Sequence, residues 1–277
     1  MKIKQDIHIH TYHSPCATQD ATPQFYIDHA KRTGLELIGF ADHMWDNGKG
    51  FSIASYERHQ TNFKRLIQIK DDLASCTIPE GLRVLVGCES DFTADSTLGI
   101  SREIASQLDF VLVAQSHTHF PEVCPSPYRD DRIACGKFAL NSLKRLLMHP
   151  DADLITAIPH PLATHFVGNE EGDHDILAAL PSNEIREAFL LAAEQGIGVE
   201  INAVVMMFAC KSSNTDPTDL SAVKNLEYYR VFSLAKEAGC KFTFGTDAHS
   251  REAADLMYYA QAMADALDLH DSDVILL

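Results

Sequence analysis

Several features that would each define a class are missing from this 277-residue chain. Its seven cysteines, Cys16, Cys76, Cys88, Cys124, Cys135, Cys210 and Cys240, form no CxxC pair. An odd, scattered set fits reduced thiols better than a disulfide framework. The stretch before Asp6, MKIKQ, has no apolar core and no small-residue cleavage site, so no secretory signal is expected. Apolar runs such as AVVMMFAC at 203–210 fall far short of a bilayer span. The expected location is the cytoplasm. Basic residues are few: 23 Lys and Arg against 39 Asp and Glu, a formal charge of −16. That balance argues against a nucleic-acid backbone as the main partner. A small phosphorylated substrate stays open, because a metal site inverts the local field. No GxGxxG follows the first strand-like run, and no GxxxxGK[ST] occurs, which counts against dinucleotide and P-loop folds. Internal repeats, low-complexity tracts and long linkers are also absent.

What is present is an alternation of short β-like runs with helix-like stretches. Hydrophobic residues make up 45% of the chain, ordinary for a globular protein. The strand candidates are Asp6–His10, Leu37–Ala41, Arg83–Gly87, Phe110–Ala114, Leu154–Ile158, Gly198–Ile201 and Lys241–Gly245. Most are continuous apolar runs, as a strand covered on both faces requires. Thr22-Pro23 supplies an N-cap and a proline at the first helical position, and Gly34 a stop. SYERHQTNFKRLIQIKDDLAS places Phe63, Leu66, Ile67 and Leu73 at helical spacing. Further helices are expected before Pro150, from Ser182 as a cap to Gly196, up to Gly239, and over AADLMYYAQAMADAL. Seven strand–helix units in one chain predict an α/β fold with parallel strands. A barrel of one domain over residues 1–277 accommodates them better than an open doubly wound sheet.

Ligand-type residues collect where these strands end. They are His8 and His10, then Asp42 and His43, Glu89, His117 and His119, His160, Glu200 and Asn202, and finally Asp247 and His249. In parallel barrels that end carries the chemistry. Residues two apart on a strand share a face, so His8 and His10 approach one ion, with Ile7 and Ile9 on the opposite face. Asp247 and His249 repeat the device. His29, His59, His149, His174 and His270 read as ordinary structural histidines. Glu200 and Asn202 read equally as supports, and Asp42 as a residue that orients a ligand. Burying the whole strand-end set without an ion would be costly. Imidazole and carboxylate donors suit zinc, manganese or iron. The set exceeds what one ion with an open position needs, so two or three divalent ions with a carboxylate bridge are expected.

Taken together, DIHIHT, FADHM, GCESDF, IPHP and GTDAH resemble, in order, the polymerase and histidinol phosphatase (PHP) superfamily, over Asp6 to His249. The stand-alone phosphoesterases similar to histidinol-phosphate phosphatase fit the length best. The resemblance implies a distorted (βα)7 TIM-like barrel. It also implies that His8, His10, Glu89 and Asp247 hold a first ion, that Glu89 bridges to a second held by His117 and His160, and that His43 and His249 hold a third. Where trinuclear members carry a further histidine after the first HxH, this chain has Cys16, with histidine at 13. Either Cys16 is a thiolate ligand, or His13 takes its place, or the third site is weak. In AQSHTHF, His117 and His119 are rival ligands; His117 lies nearer the end of the apolar run, which leaves His119 for the substrate.

The expected chemistry is hydrolysis of a small phosphomonoester, histidinol phosphate by analogy, through a metal-bridging hydroxide. His249, Asp247 or His119 would protonate the leaving group. Arg129, Arg132, Lys211 and Arg251 are candidate phosphate clamps, with surface charge the equal alternative. Specificity is assigned to loops Thr11–Ala21, Asp46–Ser55, Phe120–Ile133 and Val204–Leu220. Two other readings are hydrolysis of an amide or of a cyclic or nucleotide phosphodiester, and a metal-binding scaffold without turnover. No membrane partner is expected, and the oligomeric state is unread.

Overall fold

The computed structural model describes residues 1–46, 63–164 and 172–277. Beyond Asp46, the expected loop 46–55 and His59 lie outside the described residues, as do the side chains of Phe63 and Leu66. Eight strands are described: β1 (Gln5–Ile9), β2 (Leu37–Phe40), β3 (Arg83–Val86), β4 (Cys88–Asp91), β5 (Val111–Ala114), β6 (Ala157–Ile158), β7 (Gly198–Asn202) and β8 (Phe242–Gly245). All pair in parallel, in two sheets ordered β1-β2-β3 and β4-β5-β6-β7-β8.

Two of the expected strands differ. The third is followed directly by another, because the run 83–91 passes from one sheet to the next at Gly87. A Cβ at Gly87 would stand 2.5 Å from the Phe110 carbonyl oxygen, so the backbones approach too closely there for any side chain. The fifth shrinks to two residues, since Ala152–Leu154 forms a 3-10 turn.

No closed sheet forms among the described residues; the two sheets meet instead at two seams. At one, β1 lies beside β8 through a bridge between Ile9 and Ala248. Asp247 N donates to His8 O at 2.7 Å and His10 N to Ala248 O at 3.0 Å. At the other, His43 bridges to Glu89. Both seams fall on ligand-type residues.

The helices follow local chemistry. Thr22 Oγ1 accepts from Phe25 N at 3.3 Å and starts the helix Pro23–Thr33, which ends at Gly34 in the left-handed conformation. Asp131 caps Arg132–Leu147 through Ala134 N. Phe63–Ala74, Ser182–Gln195, Glu227–Glu237 and Met257–Ala266 supply the other long helices. Ser182 is the first helical residue rather than the cap, and its hydroxyl accepts from Arg230. Val204–Leu220 is not a loop throughout: Ala203–Ser212 is a helix, capped by Asn202 Oδ1 on Val205 N at 3.0 Å.

Ile7, Leu37, Ala41, Phe110, Leu112 and Ala157 pack together and join the two sheets. Helices cover the larger sheet through Val113, Ile158, Val199, Phe242, Leu143, Phe189 and Phe232, and the smaller through Ile9, Ile38, Phe40, Tyr26 and Ile27. Ile7 and Ile9 therefore do not share a face. The β1 register shifts between Asp6 and Ile9, an irregularity that re-aims side chains beside a site. His8 and His10 still converge, with their Nε2 atoms 3.1 Å apart.

Candidate metal centre

Glu89, buried in β4, is the hub of the strand-end residues. Its two carboxylate oxygens face different imidazoles. Oε1 lies 2.7 Å from His160 Nε2 and 3.4 Å from His117 Nε2. Oε2 lies 3.1 Å from His43 Nδ1 and 3.4 Å from both His8 Nε2 and His10 Nε2. Asp247 Oδ1 adds a second anion on the Oε2 side, 3.5 Å from His8 Nε2 and 3.3 Å from His10 Nε2. His249 stacks on His10 with ring centroids 4.0 Å apart, and its side chain is 32% exposed, at the edge of the cluster.

The far nitrogens of these rings are also held. His8 Nδ1 lies 2.8 Å from Glu200 Oε1, and His117 Nδ1 lies 2.7 Å from Asp91 Oδ1. A carboxylate accepts only, so both ring nitrogens donate. Ser14 Oγ donates to Asp42 Oδ1 at 2.7 Å and therefore accepts from His10 Nδ1 at 3.1 Å. His249 Nδ1 donates to the Asp247 carbonyl at 2.9 Å. Ser116 Oγ holds His160 Nδ1 at 2.7 Å. With Nδ1 carrying the outward hydrogen, Nε2 of His8, His10 and His117 offers a lone pair inward, as metal-bound histidines do.

Charge in the cluster follows the same layout. Burial pushes the His8 pKa down, but Glu200, Asp247 and Glu89 outweigh it and raise it well above the ordinary value. Burial likewise opposes charge on His117, yet Asp91 and Glu89 raise it to about 9. Burial holds His43 well below its usual range, and the neighbouring imidazoles add to that against the pull of Glu89. Burial would raise Glu89 and Asp247, but the surrounding imidazoles hold both below the carboxylate range. The carboxylates are thus ionised and demand positive charge, which protons supply on the histidines and divalent cations would supply better.

The backbone is strained at two of these residues. His160 has φ 31° and Asp247 φ 56°, conformations that cost a non-glycine residue about 1–3 kcal/mol. Each is pinned by its amide: His160 N donates to Glu200 Oε2 at 2.8 Å, and Asp247 N to His8 O.

Three groups of donor atoms, each mutually within 4.8 Å, emerge among the described residues: His8, Glu89 and His160; His8, His10 and Asp247; His10, His43 and His249. The donor set fits divalent ions of the zinc, manganese or iron kind. The structure therefore gathers His8, His10, His43, Glu89, His117, His160, Asp247 and His249.

It does not gather the loop candidates. Cys16 is exposed and belongs to none of the three groups. His13 turns to Asp72 at 2.8 Å and packs on Tyr12. His119 lies against Phe120, 3.8 Å between ring centroids, and 5.7 Å from the His117 ring. Arg132 is committed to Asp175 and the Gly172 carbonyl. Lys211 is exposed in the last turn of its helix. Arg251 lies over Phe25 and donates to the Asp20 carbonyl. Arg129 donates to the His119 carbonyl at 3.4 Å.

Three contributors escaped the sequence reading: Ser14, Ser116 and Asp91. Asp91 also accepts from Trp45 Nε1 at 2.9 Å. Its spacing from Glu89, two residues along a strand, was a usable signal; the serines carried none.

No family model matches the chain. A probable phosphatase of Aliivibrio fischeri (strain MJ11) is 22% identical over 275 residues, 99% of this chain and 89% of the relative. Among solved structures, the chain is similar to histidinol phosphate phosphatase from Lactococcus lactis subsp. lactis Il1403, complexed with zinc, L-histidinol and phosphate. That likeness has a TM-score of 0.57 and 16% identity, and covers 96% of this chain and 94% of the other. A Listeria monocytogenes protein provisionally named a histidinol phosphatase gives a TM-score of 0.57 and 15% identity over 90% and 97% of the two chains. These structural likenesses establish a shared parallel-strand α/β fold. Among the described residues no helix is long and apolar enough to cross a membrane.

Proposed function

We propose that this chain is a metal-dependent phosphomonoesterase of the PHP type, one distorted (βα)7 barrel domain whose strand ends hold two or three divalent ions. One observation carries the reading. Glu89 presents one carboxylate oxygen to His117 and His160 and the other to His8, His10 and His43. That division is what a bridging carboxylate between two ions needs. The ligand sets we assign are His8, His10, Glu89 and Asp247 for one ion and Glu89, His117 and His160 for the next. His43 and His249, beside His10, would take a third. The named phosphatases among the similar proteins support a phosphoesterase.

Ions bound there would supply a water acidic enough to attack at neutral pH and positive charge for the phosphoryl oxygens. The chain's own groups do the rest. Glu200, Ser14, Asp91 and Ser116 fix the rings so that no reorganisation is needed as charge develops. His119, beside His117, is the group we assign to hand a proton to the leaving alkoxide; His249, at the exposed edge, serves there only when it holds no ion. Asp247 orients His249 through its carbonyl. Arg129 is the cation we assign to the phosphate, with Arg132 and Lys211 set aside by their contacts and position.

The substrate is a small phosphorylated metabolite. Histidinol phosphate heads the panel to be tried, because the Lactococcus structure holds L-histidinol and phosphate. The test is phosphate release from such a panel, with amides and cyclic phosphodiesters alongside, by wild type and by His10→Ala and Glu89→Ala. We expect phosphomonoester turnover by wild type and its loss in both folded variants. Retained turnover in either would overturn the proposal.

A further inference from the structure

Glu200, in β7, is fully buried, and three donors converge on it. His8 Nδ1 lies 2.8 Å from Oε1. The His160 backbone N–H and the Asn202 side-chain amide donate to Oε2 at 2.8 and 3.0 Å. Both oxygens must therefore accept, which a carboxylate does and an amide cannot. The neighbouring strand makes room: a Cβ at Gly245 would stand 2.2 Å from Glu200 Oε1 and 2.3 Å from His8 Cβ.

The two groups Glu200 holds face different oxygens of Glu89. His8 faces Oε2, and His160 faces Oε1. The other supports differ. Ser14 holds the His10 ring, and Ser116 holds the His160 ring, each on one side only.

We infer that Glu200 is a positioning residue that couples the two halves of the centre. It orients the His8 ring through Nδ1, and through the backbone amide it holds His160 in its left-handed conformation. Removing both acceptor oxygens loosens a ligand on each side at once. This inference rests on the metal reading above. It goes further by making the affinities of two separate ions depend on one residue that touches neither.

The experiment is titration of metal-stripped protein with zinc and with manganese, monitored by calorimetry, with retained metal measured by elemental analysis. Glu200→Leu keeps most of the volume and removes both acceptor oxygens. Both binding steps are expected to weaken together, each by about 10–100-fold, the usual effect of losing an outer partner of a ligand. Ser14→Ala should weaken only the step on the Oε2 side. Glu200→Asp keeps both acceptors on a shorter stem and should give a smaller loss at both steps; it serves as the test if Glu200→Leu does not fold by circular dichroism. Wild-type affinity at both steps, or a loss confined to one step, overturns the proposal. So does a lower melting temperature of the metal-free variant with both steps intact, since that marks a packing role. A wild type that binds no metal brings down the reading of the site and this inference with it; a variant that binds like wild type brings down Glu200 alone.

Discussion

Ile7 and His8 are neighbours in β1, and both are fully buried. Their burial works in opposite directions. Ile7 packs with Leu37, Phe110, Leu112 and Ala157 where the two sheets join, and its removal from water contributes about 1.5–3 kcal/mol. His8 packs against Glu89, Asp247, Glu200 and His10, and every one of those groups loses hydration. One region of the strands is thus a core that stabilises itself. The other is held in place by that core, and its polar groups are satisfied by one another and, on our reading, by cations. The difference teaches which changes reach function and which reach only stability.

The largest effect belongs to the hub. Glu89→Ala should lower phosphate-ester turnover by roughly a thousandfold or more, the scale of losing a principal electrostatic group. It should also lower bound metal in elemental analysis while circular dichroism stays native. In the apolar region, Leu112→Ala should cost about 2–5 kcal/mol in urea unfolding, as buried leucine truncations do. Its metal affinity should match wild type under native conditions. If the two variants exchanged phenotypes, the division between the regions would be wrong.

A smaller effect separates the two sides of Glu89. Ser116→Ala, which frees the His160 ring, should weaken metal on the Oε1 side by about 10–100-fold and spare the other. Titration resolves the steps; equal loss at both would contradict the geometry.

The pH dependence of the metal-free protein comes next. The folded His117 pKa, about 9, exceeds its ordinary value of 6.5. Its protonated form is therefore the stabilised one. That contribution is complete below the ordinary value and is lost as pH climbs through about 9. Unfolding of stripped protein between pH 6 and 10 reads it, and His117→Gln should flatten that part of the curve. Smallest of all, Cys16→Ala should leave metal content and turnover unchanged, because the exposed thiol belongs to no donor group.

Much of the centre was legible from residue spacing. His8 and His10 lie at the end of β1, and Glu89 follows an apolar run; Asp247 and His249 lie past β8, where the left-handed Asp247 backbone rather than a strand period directs them. The supports were not legible. Ser14 and Ser116 are ordinary polar residues until the fold brings their hydroxyls to His10 and His160. The third strand's break at Gly87 depends on the approach of Phe110, close in space but distant in sequence, which the residues flanking Gly87 do not encode. The shift in β1 that separates Ile7 from Ile9 likewise arises from pairing with β2. The helix Ala203–Ser212 escaped because AVVMMFAC has no polar face to reveal its period, although Asn202 before it is a capping residue.

The central claim is that Glu89 divides a cluster of ions. Anomalous diffraction from crystals grown with zinc, recorded at the zinc edge, tests it most directly. The account predicts at least two peaks, one beside His117 and His160 and one beside His8, His10 and Asp247, with the Glu89 carboxylate between them. A single peak on one side of Glu89, or none in the cluster, would contradict it.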